Sequence, residues 1–320
     1  MSRTTARGLV AVLLVLPWVG LGEYPLALLH STFLYTALAV AWNIVGGFAG
    51  YLSFGHAAFF GLGGYATGLL LVQGGLSPFL TAPFAGAVAA AFAALAGYPC
   101  LRLRGPYFAV VTMILGLAVR AVVLNLPWTG AAQGLWITLP PWDPLGARRA
   151  FYYAMLAVAL VAVLAARAVR LGKMGVGLEA IREDEDAAQS IGVPAVRLKM
   201  KALILSAGLT GLAGGIYAYD RSYIHPDFMF DLHLSVLAVL MALLGGRSSW
   251  AGPIVGAVVV RLVDEILTVW IGTEVARILF GLGLALVIML LPDGLLPHLM
   301  RLGRRAPRPP AAAPVAMVRP

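Results

Sequence analysis

Long apolar stretches, each of about 20 residues, recur along the chain and constrain its fold more than any other feature. A membrane interior offers the backbone no water, so a spanning segment must pair its own N–H and C=O groups, as a helix or in a closed barrel. The stretches do not alternate apolar with polar residues, as barrel strands do. We therefore predict an all-α polytopic membrane protein with about ten spans. The predicted spans are 8–22, 26–48, 52–73, 79–101, 106–126, 150–170, 200–219, 232–246, 253–271 and 274–291.

The placement of charge predicts the topology. Only 12% of residues are charged and 61% are hydrophobic, unlike a soluble domain. The formal charge of +9 would suggest a nucleic-acid partner in a soluble protein, but here the basic residues flank apolar spans, so we predict none. Ten spans with both termini in the cytoplasm place most loop Arg and Lys inside, as the positive-inside rule requires. Arg148, Arg149 and Arg221 fall outside and are the exceptions.

The chain divides into a membrane domain, 1–300, and a tail, 301–320. The tail is rich in Pro, Ala and Arg, a composition typical of disorder, and we predict that it lies in the cytoplasm. Two longer outer loops are predicted at 127–149 and 220–231. The first holds three tryptophans, which favours the membrane interface, although such a loop could also meet a docking protein.

Enzyme motifs are scarce in this chain. It has no Walker A sequence, no HExxH and no GxSxG. Its five histidines are dispersed without ligand spacing, and its single cysteine, Cys100, excludes an intrachain disulfide. We therefore predict no catalytic site, no metal site and no cofactor.

The segment 42–68 is dense in glycine and allows two interpretations. Small residues let helices approach closely in lipid, and Gly61, Gly64 and Gly68 fit such packing. Alternatively, the glycines make a broken or re-entrant helix that lines a pathway. In that case Asn43, Ser53 and His56 would expose polar groups to the substrate, and they are the candidate translocation residues.

A charged triplet lies within the ninth predicted span. Arg261, Asp264 and Glu265 are three and four residues apart, so they share a helix face and can pair. An ion-coupling site is one interpretation. The sequence favours the other, a self-paired structural cluster.

Residues 172–201 interrupt the apolar pattern with a polar, charged, helix-prone insert. Helix-forming residues lead to Gly192, which is suited to ending a helix, and then to Pro194. We predict a surface helix over 179–192, then a turn and the next span. A merely solvated loop would not explain the spaced apolar residues in this stretch, which are Leu178, Ile181, Ala188 and Ile191.

The insert resembles the coupling loop of ABC importer permeases, whose signature is Glu-Ala-Ala, three residues and Gly. Asp186 replaces the glutamate here, whereas Ala187, Ala188 and Gly192 match. The whole chain resembles more closely the branched-chain amino acid permeases of the LivM type. Four blocks carry the resemblance, in family order: GYLSFGHAAFFGLGGY (50–65), GLEAIREDEDAAQSIGV (177–193) with Lys199 and Ser206, GGRSSWAGPIVGA (245–257) and RILFGLGLALVIMLLPDGLL (277–296).

The resemblance implies a permease subunit of an ABC importer in the bacterial inner membrane, with 172–199 as the coupling loop. Its implied partners are membrane lipid, a homologous second permease in a heterodimer, two cytoplasmic ATPase subunits and a periplasmic or surface binding protein. ATP hydrolysis would belong to the partners, so this chain is not expected to be an enzyme. The implied coupling residues are Glu179, Ala180, Arg182, Glu183, Glu185, Asp186, Ala187, Ala188 and Gly192. Of these, Ala187, Ala188 and Gly192 are expected to touch the ATPase, and Glu183, Glu185 and Asp186 to meet its basic groups.

Substrate and energy source stay open in the sequence. Leucine, isoleucine or valine is the substrate that the resemblance implies, but TGAAQGL (129–135) has lost a glycine common in the family, and urea or short-chain amides are the alternative. An ion-coupled secondary transporter and a membrane scaffold are rivals from other classes. Ionophore-sensitive uptake would favour the first, and the second leaves the insert unexplained.

Overall fold

The computed structural model describes residues 3–20, 22–137, 142–271, 281–282 and 294–298. Helices dominate this part of the chain, as the apolar runs predict. The helices are α1 (Arg3–Val15), α2 (Glu23–Val45), α3 (His56–Gly74), α4 (Pro78–Cys100), α5 (Pro106–Asn125), α6 (Pro144–Leu171), α7 (Lys173–Glu183), α8 (Glu185–Ser190), α9 (Ala195–Asp220), α10 (Pro226–Met229), α11 (Leu232–Gly245) and α12 (Gly252–Ile271).

Within the described residues, seven stretches are long and apolar enough to cross a membrane. They are Glu23–Val45, His56–Gly74, Phe79–Cys100, Pro106–Asn125, Pro144–Leu171, Ala195–Asp220 and Pro226–Gly245. These correspond to the second through eighth predicted spans. Helix α1 has only 13 residues, and α12 carries three charged side chains. The predicted span 274–291, apart from 281–282, and the tail 301–320 lie outside the described residues.

The chain is not helical between α2 and α3. Residues 46–55, named here the linker segment, are mostly buried, with Gly50 and Leu52 exposed and Phe54 partly buried, and the helix predicted at 52–73 begins only at His56. The first part of the segment bonds to the end of α2, where the N–H groups of Gly46 and Gly47 donate to Trp42 O and Asn43 O. Its second part bonds to side chains: Ser53 O accepts from Trp42 Nε1 at 2.8 Å, and Phe54 N donates to Thr112 Oγ1 at 3.1 Å. Buried irregular backbone is tolerated where such partners satisfy it. The glycine-rich region is therefore a helix break followed by a helix.

Helices α3 and α9 cross at very short distance, and α4 packs against both. A β-carbon at Gly63 would lie only 2.0 Å from the backbone oxygen of Gly211. β-carbons at Gly61, Gly64 and Gly68 would lie 2.3, 2.1 and 2.8 Å from side-chain atoms of neighbouring elements. The glycines of α3 thus serve close packing, the first of the two interpretations.

The two loops that are predicted to be outer join in a short antiparallel ribbon, β1 (Leu135–Trp136) and β2 (Tyr223–Ile224). The three arginines that depart from the charge rule have partners nearby. Arg148 bonds to Asp220 at 3.1 Å, and the guanidinium groups of Arg149 and Arg221 stack on aromatic rings. Their positions thus have local explanations that do not depend on topology.

The charged triplet of α12 pairs with itself, as predicted. Arg261 contacts Asp264 at 2.8 Å and Glu265 at 2.5 Å, and its Nε donates to Ser31 Oγ at 3.0 Å. Tyr24 also donates to the Glu265 carboxylate. The cluster fastens α12 to α2, which agrees with a structural role and leaves no unpaired carboxylate for ion coupling in this triplet.

Candidate functional site

The polar insert folds as two short helices, α7 and α8, and the prediction of one helix over 179–192 is wrong. The break lies at Asp184, whose backbone is extended (φ −157°, ψ 112°). Its carboxylate accepts hydrogen bonds from the N–H groups of Asp186 and Ala187 at 2.9 and 3.0 Å. Aspartate is a strong N-cap residue because it satisfies donors that the first helical turn leaves unpaired. Asp184 therefore starts α8 instead of continuing α7.

Gly192 ends α8, as predicted, in a Schellman motif. Its φ is +87°, a left-handed conformation that glycine adopts without steric cost. Its N–H donates to Gln189 O at 3.0 Å, and the N–H of Val193 donates to Ala188 O at 3.0 Å. A β-carbon at Gly192 would meet nothing within 4 Å, so the turn is a bare, open corner of the insert.

The apolar residues of the insert divide between an inner and an outer face. Leu178, Ile181 and Ala188 are buried and attach α7 and α8 to the body of the protein. Ile191 differs, because 80% of its surface is exposed. The spacing of these residues did predict an ordered insert, but Ile191 lies at the corner beside Gly192 and not in the core.

Of the three small residues expected to touch an ATPase, only Ala187 and Gly192 are exposed. Ala188 is buried, so it is not available for contact with another chain. Gln189 and Ser190 are exposed alongside them. The accessible surface of the insert therefore includes a corner of uncharged, small and medium side chains from which Ile191 projects, beside exposed charged residues such as Asp186 and Arg197.

Four of the five acidic residues of the insert have basic partners within this chain, and the fifth, Asp184, caps α8. Two hydrogen bonds from Arg170, at 2.7 and 3.0 Å, hold Glu179 and lower its pKa. Arg104 lies 2.9 Å from Asp186 and lowers the pKa of that carboxyl as well. Asp186 stays exposed, as does Glu183, which pairs with Arg182 at 2.8 Å.

Glu185 is not exposed enough to meet a partner protein, contrary to expectation. It belongs to a cluster, named here the Lys199 cluster, that consists of Glu185, Lys199 and Tyr51. Lys199 Nζ lies 2.7 Å from Glu185 Oε1 and 2.9 Å from the Tyr51 hydroxyl, and Tyr51 donates to the other oxygen of the carboxylate. Burial alone would raise the pKa of Glu185, but the hydrogen bonds from Lys199 and Tyr51 outweigh it and lower the pKa.

The candidate pathway residues Asn43 and Ser53 are both buried. Asn43 Nδ2 donates to Ser249 O at 3.2 Å, and its Oδ1 has no hydrogen-bond partner. Ser53 Oγ accepts from Gly55 N at 3.3 Å. The Asn43 side chain thus joins α2 to residues 246–251, whereas the Ser53 side chain bonds within the linker segment.

His56, the third candidate, is buried at the start of α3 and bonds to α9. Its Nε2 lies 2.7 Å from Ser206 Oγ, and the Ser206 hydroxyl donates to Ala41 O at 2.6 Å. Since that hydroxyl has only one proton, Nε2 must carry the hydrogen of the His56–Ser206 bond. Nδ1 is then an acceptor without a partner. His56 joins three helices, and a role in a pathway would require α3 to separate from α9.

Comparison with known proteins decides the family. Residues 24–290 match the family described as "Branched-chain amino acid transport system / permease component". The chain belongs to this family. The high-affinity branched-chain amino acid transport system permease protein LivM of Salmonella typhimurium is 32% identical over 296 residues, covering 83% of this chain and 68% of the relative. LivM of Escherichia coli matches to the same extent.

A weaker likeness involves a differently named permease of the same kind of system. The high-affinity branched-chain amino acid transport system permease protein LivH of Escherichia coli is 24% identical over 128 residues, covering 40% of this chain and 41% of that protein. No solved structure matches this chain at a significant level. Membership of the branched-chain permease family thus comes from sequence similarity, and the site is described by its own geometry.

Sequence reasoning did not assign a role to Lys199 or Tyr51 in this family member. One signal was present in α9: Lys199, Ser206 and Thr210 are spaced by seven and four residues and so share a helix face. All three are buried. A polar face on a helix that packs into the core indicates partners on other elements, but those partners are distant in sequence and could not be identified from it.

Proposed function

We propose that this chain is a permease subunit of an ABC importer that moves leucine, isoleucine or valine across the bacterial inner membrane. The match of residues 24–290 to the permease family, and the likeness to LivM over 83% of the chain, support the substrate class. ATP hydrolysis is assigned to two separate cytoplasmic subunits. A binding protein delivers the substrate to the outer face, where the β1–β2 ribbon joins the two outer loops.

The observation that carries the proposal is the exposed corner of the insert at Ala187, Ile191 and Gly192. A permease without its own nucleotide-binding sequence needs a contact through which another protein moves it. Small side chains allow a close approach, and the projecting Ile191 supplies apolar area at the centre of such a contact. We assign this corner to the ATPase groove.

Attachment of the insert to the membrane helices supports a mechanical role. The paired hydrogen bonds from Arg170 fix α7 to the end of α6, and the Lys199 cluster fixes α8 to α9. Ion pairs of this kind, partly buried and with several hydrogen bonds, hold a defined geometry better than exposed single pairs. Closure of the ATPases would thus move α7 and α8 together with the end of α6 and the start of α9.

We propose that the insert and both termini lie in the cytoplasm. The contacts between the insert and the other loops support this topology. The insert contacts the linker segment through Arg182 and residues 101–104 through Arg104. Arg170, at the end of α6 next to the insert, donates to Ser248 O in residues 246–251. Ten alternating spans place all of these loops on the side of the insert. The second permease is proposed to be a homologue, because proteins named LivM and LivH both resemble this chain.

Reconstitution tests the proposal. The chain is co-expressed with its candidate permease, ATPase and binding-protein partners, purified through a tag on this chain, and placed in liposomes. We expect the ATPase subunits to co-purify and labelled leucine uptake to require ATP and the binding protein. Uptake that stops with an ionophore and continues without ATP would identify a secondary transporter instead. Uptake of urea and not of leucine would reassign the substrate.

A further inference from the structure

The linker segment, residues 46–55, contacts helices on the membrane side through specific hydrogen bonds. Phe54 bonds to α5 through Thr112 and to α11 through Ser235, whose hydroxyl donates to Phe54 O at 2.8 Å. The same Ser235 oxygen accepts from Ala57 N at 2.8 Å, in the first turn of α3. Ser53, Gly55 and Ser235 are buried and Phe54 is partly buried, so these hydrogen bonds satisfy polar groups that have little access to water and anchor the segment.

The opposite side of the linker segment is held by the insert. Tyr51 bonds to both members of the Lys199–Glu185 pair, and Arg182 Nη1 donates to Gly47 O at 3.3 Å. Arg182 also packs on Gly50, where a β-carbon would lie 2.7 Å from Arg182 Cγ. The insert therefore holds the segment through both α7 and α8.

The covalent connections of the insert are poorly suited to carrying a movement. Gly172 separates α6 from α7, and the left-handed Gly192 separates α8 from α9. Glycine has no β-carbon, so the backbone at these two joints rotates with less steric hindrance than elsewhere, and only the backbone hydrogen bonds of the turns hold it. A displacement of α7 and α8 must then reach the membrane helices mainly through side-chain contacts.

We propose that the linker segment transmits movement of the α7–α8 insert to α5 and α11, and that Lys199 is the positioning residue that keeps the insert attached to it. This rests on the proposed function, since it assumes that ATPases move the insert. Lys199 suits this role because the residue is only 3% exposed and its ammonium has three acceptors: the Glu185 carboxylate, the Tyr51 hydroxyl and Leu101 O at 3.4 Å. A buried ammonium fixes the relative positions of its partners, since a shift that removes an acceptor leaves a charge unpaired.

The test uses the complete transporter in liposomes and compares Lys199→Met with Lys201→Met. Lys201 is on the same helix two residues later, is exposed, and has no ion-pair partner among the described residues. In Lys199→Met we expect the ATPase subunits to co-purify and to hydrolyse ATP at close to the native rate. Substrate transported per ATP should fall about tenfold, within the usual range of coupling between sites. Lys201→Met should keep the native ratio.

Two further variants separate transmission from misfolding. Lys199→Met with Glu185→Gln removes both charges, so no buried charge is left unpaired, and its transport per ATP should match that of Lys199→Met alone, because the two groups act as one unit. Ser235→Ala acts on the far side of the linker segment and should lower transport per ATP in the same direction by less.

Specific results would overturn the inference. One is native transport per ATP in Lys199→Met together with native values in Ser235→Ala. Another is loss of the ATPase subunits from Lys199→Met, because the cluster would then shape the docking surface and not the transmission behind it. If the unmodified chain fails to bring down ATPase subunits at all, the proposed function fails, and that result is separate from either of these.

Discussion

The insert and the α3–α9 crossing are held by opposite means. In the crossing, glycines bring two backbones together, so that Gly63 leaves no room for a β-carbon beside Gly211. In the insert, charged side chains supply the attachment, and Gly192 provides a left-handed turn in open space. Glycine in a sequence therefore does not by itself show whether it serves helix packing or a turn. The α3–α9 crossing depends on backbone packing that tolerates no added side chain, whereas the attachment of the insert depends on individual ion pairs that single substitutions can remove.

The largest effect is expected from a larger side chain at the contact between α3 and α9. Gly63→Val places side-chain atoms against the Gly211 backbone, which cannot move without separating α3 from α9. We expect a loss of at least about 3 kcal/mol of stability, and little folded protein, because overpacking against backbone cannot be relieved by a rotamer change. Size-exclusion profiles and thermal unfolding in detergent measure this. Gly116→Ala is the control, since a β-carbon there meets nothing within 4 Å. Native-like stability in Gly63→Val would refute the close crossing.

Changing the insert glycine should affect function and leave the fold intact. Gly192→Glu adds a charged side chain at the proposed ATPase contact and should abolish uptake while the protein still inserts in the membrane. The left-handed backbone costs a non-glycine residue only about 1–2 kcal/mol. Gly75→Glu is a matched control, because Gly75 also has a positive φ and open space but lies outside the insert. Normal uptake with Gly192→Glu would remove the coupling assignment.

His56→Ala tests whether the polar residues beside the crossing serve packing or transport. If His56 only joins α3 to α9, its loss leaves Ser206 without one partner and should cost about 1–3 kcal/mol of stability. Uptake affinity measured in liposomes should then stay unchanged. An altered affinity for leucine, with stability preserved, would return Asn43, Ser53 and His56 to the translocation pathway.

The smallest expected effect is a loss of stability at acid pH that arises from Glu185 in the insert. The folded pKa of Glu185 is below its unfolded value of about 4.3, so the unfolded chain binds more protons as pH falls. This contribution is fully present above pH ~4.3 and is lost as pH falls through the folded pKa. Melting temperatures measured from neutral pH downward should drop less steeply in Glu185→Gln than in the native chain. Identical acid profiles would indicate that Glu185 is not held by Lys199.

Local patterns predicted much of this structure. Six of the apolar runs became single helices of spanning length, and a seventh, Pro226–Gly245, is divided between α10 and α11. Gly192 ended α8, and Arg261 paired with the two carboxylates on its own helix face. Each of these outcomes depends on residues within about one or two turns of each other, where periodicity and capping rules apply.

Contacts between distant residues could not be predicted in the same way. Lys199 and Tyr51 are separated by 148 positions, and the ribbon joins residues 135–136 to 223–224. The break at Asp184 was also missed, because the acidic run offers several possible caps and tertiary packing selects one. The burial of Asn43, Ser53 and His56 likewise depends on how α2, α3 and α9 assemble, which a single sequence does not specify.

The central claim is that the insert faces the cytoplasm and is held by a separate ATPase, and cysteine labelling tests it most directly. Cys100→Ala removes the one native thiol, and Ser190→Cys introduces an exposed one beside the corner of α8. With a membrane-impermeant maleimide, we predict labelling in inverted membrane vesicles stripped of ATPase, none in intact spheroplasts, and protection when the ATPase subunits are restored. Labelling from outside, or equal labelling with and without the ATPases, would contradict the account.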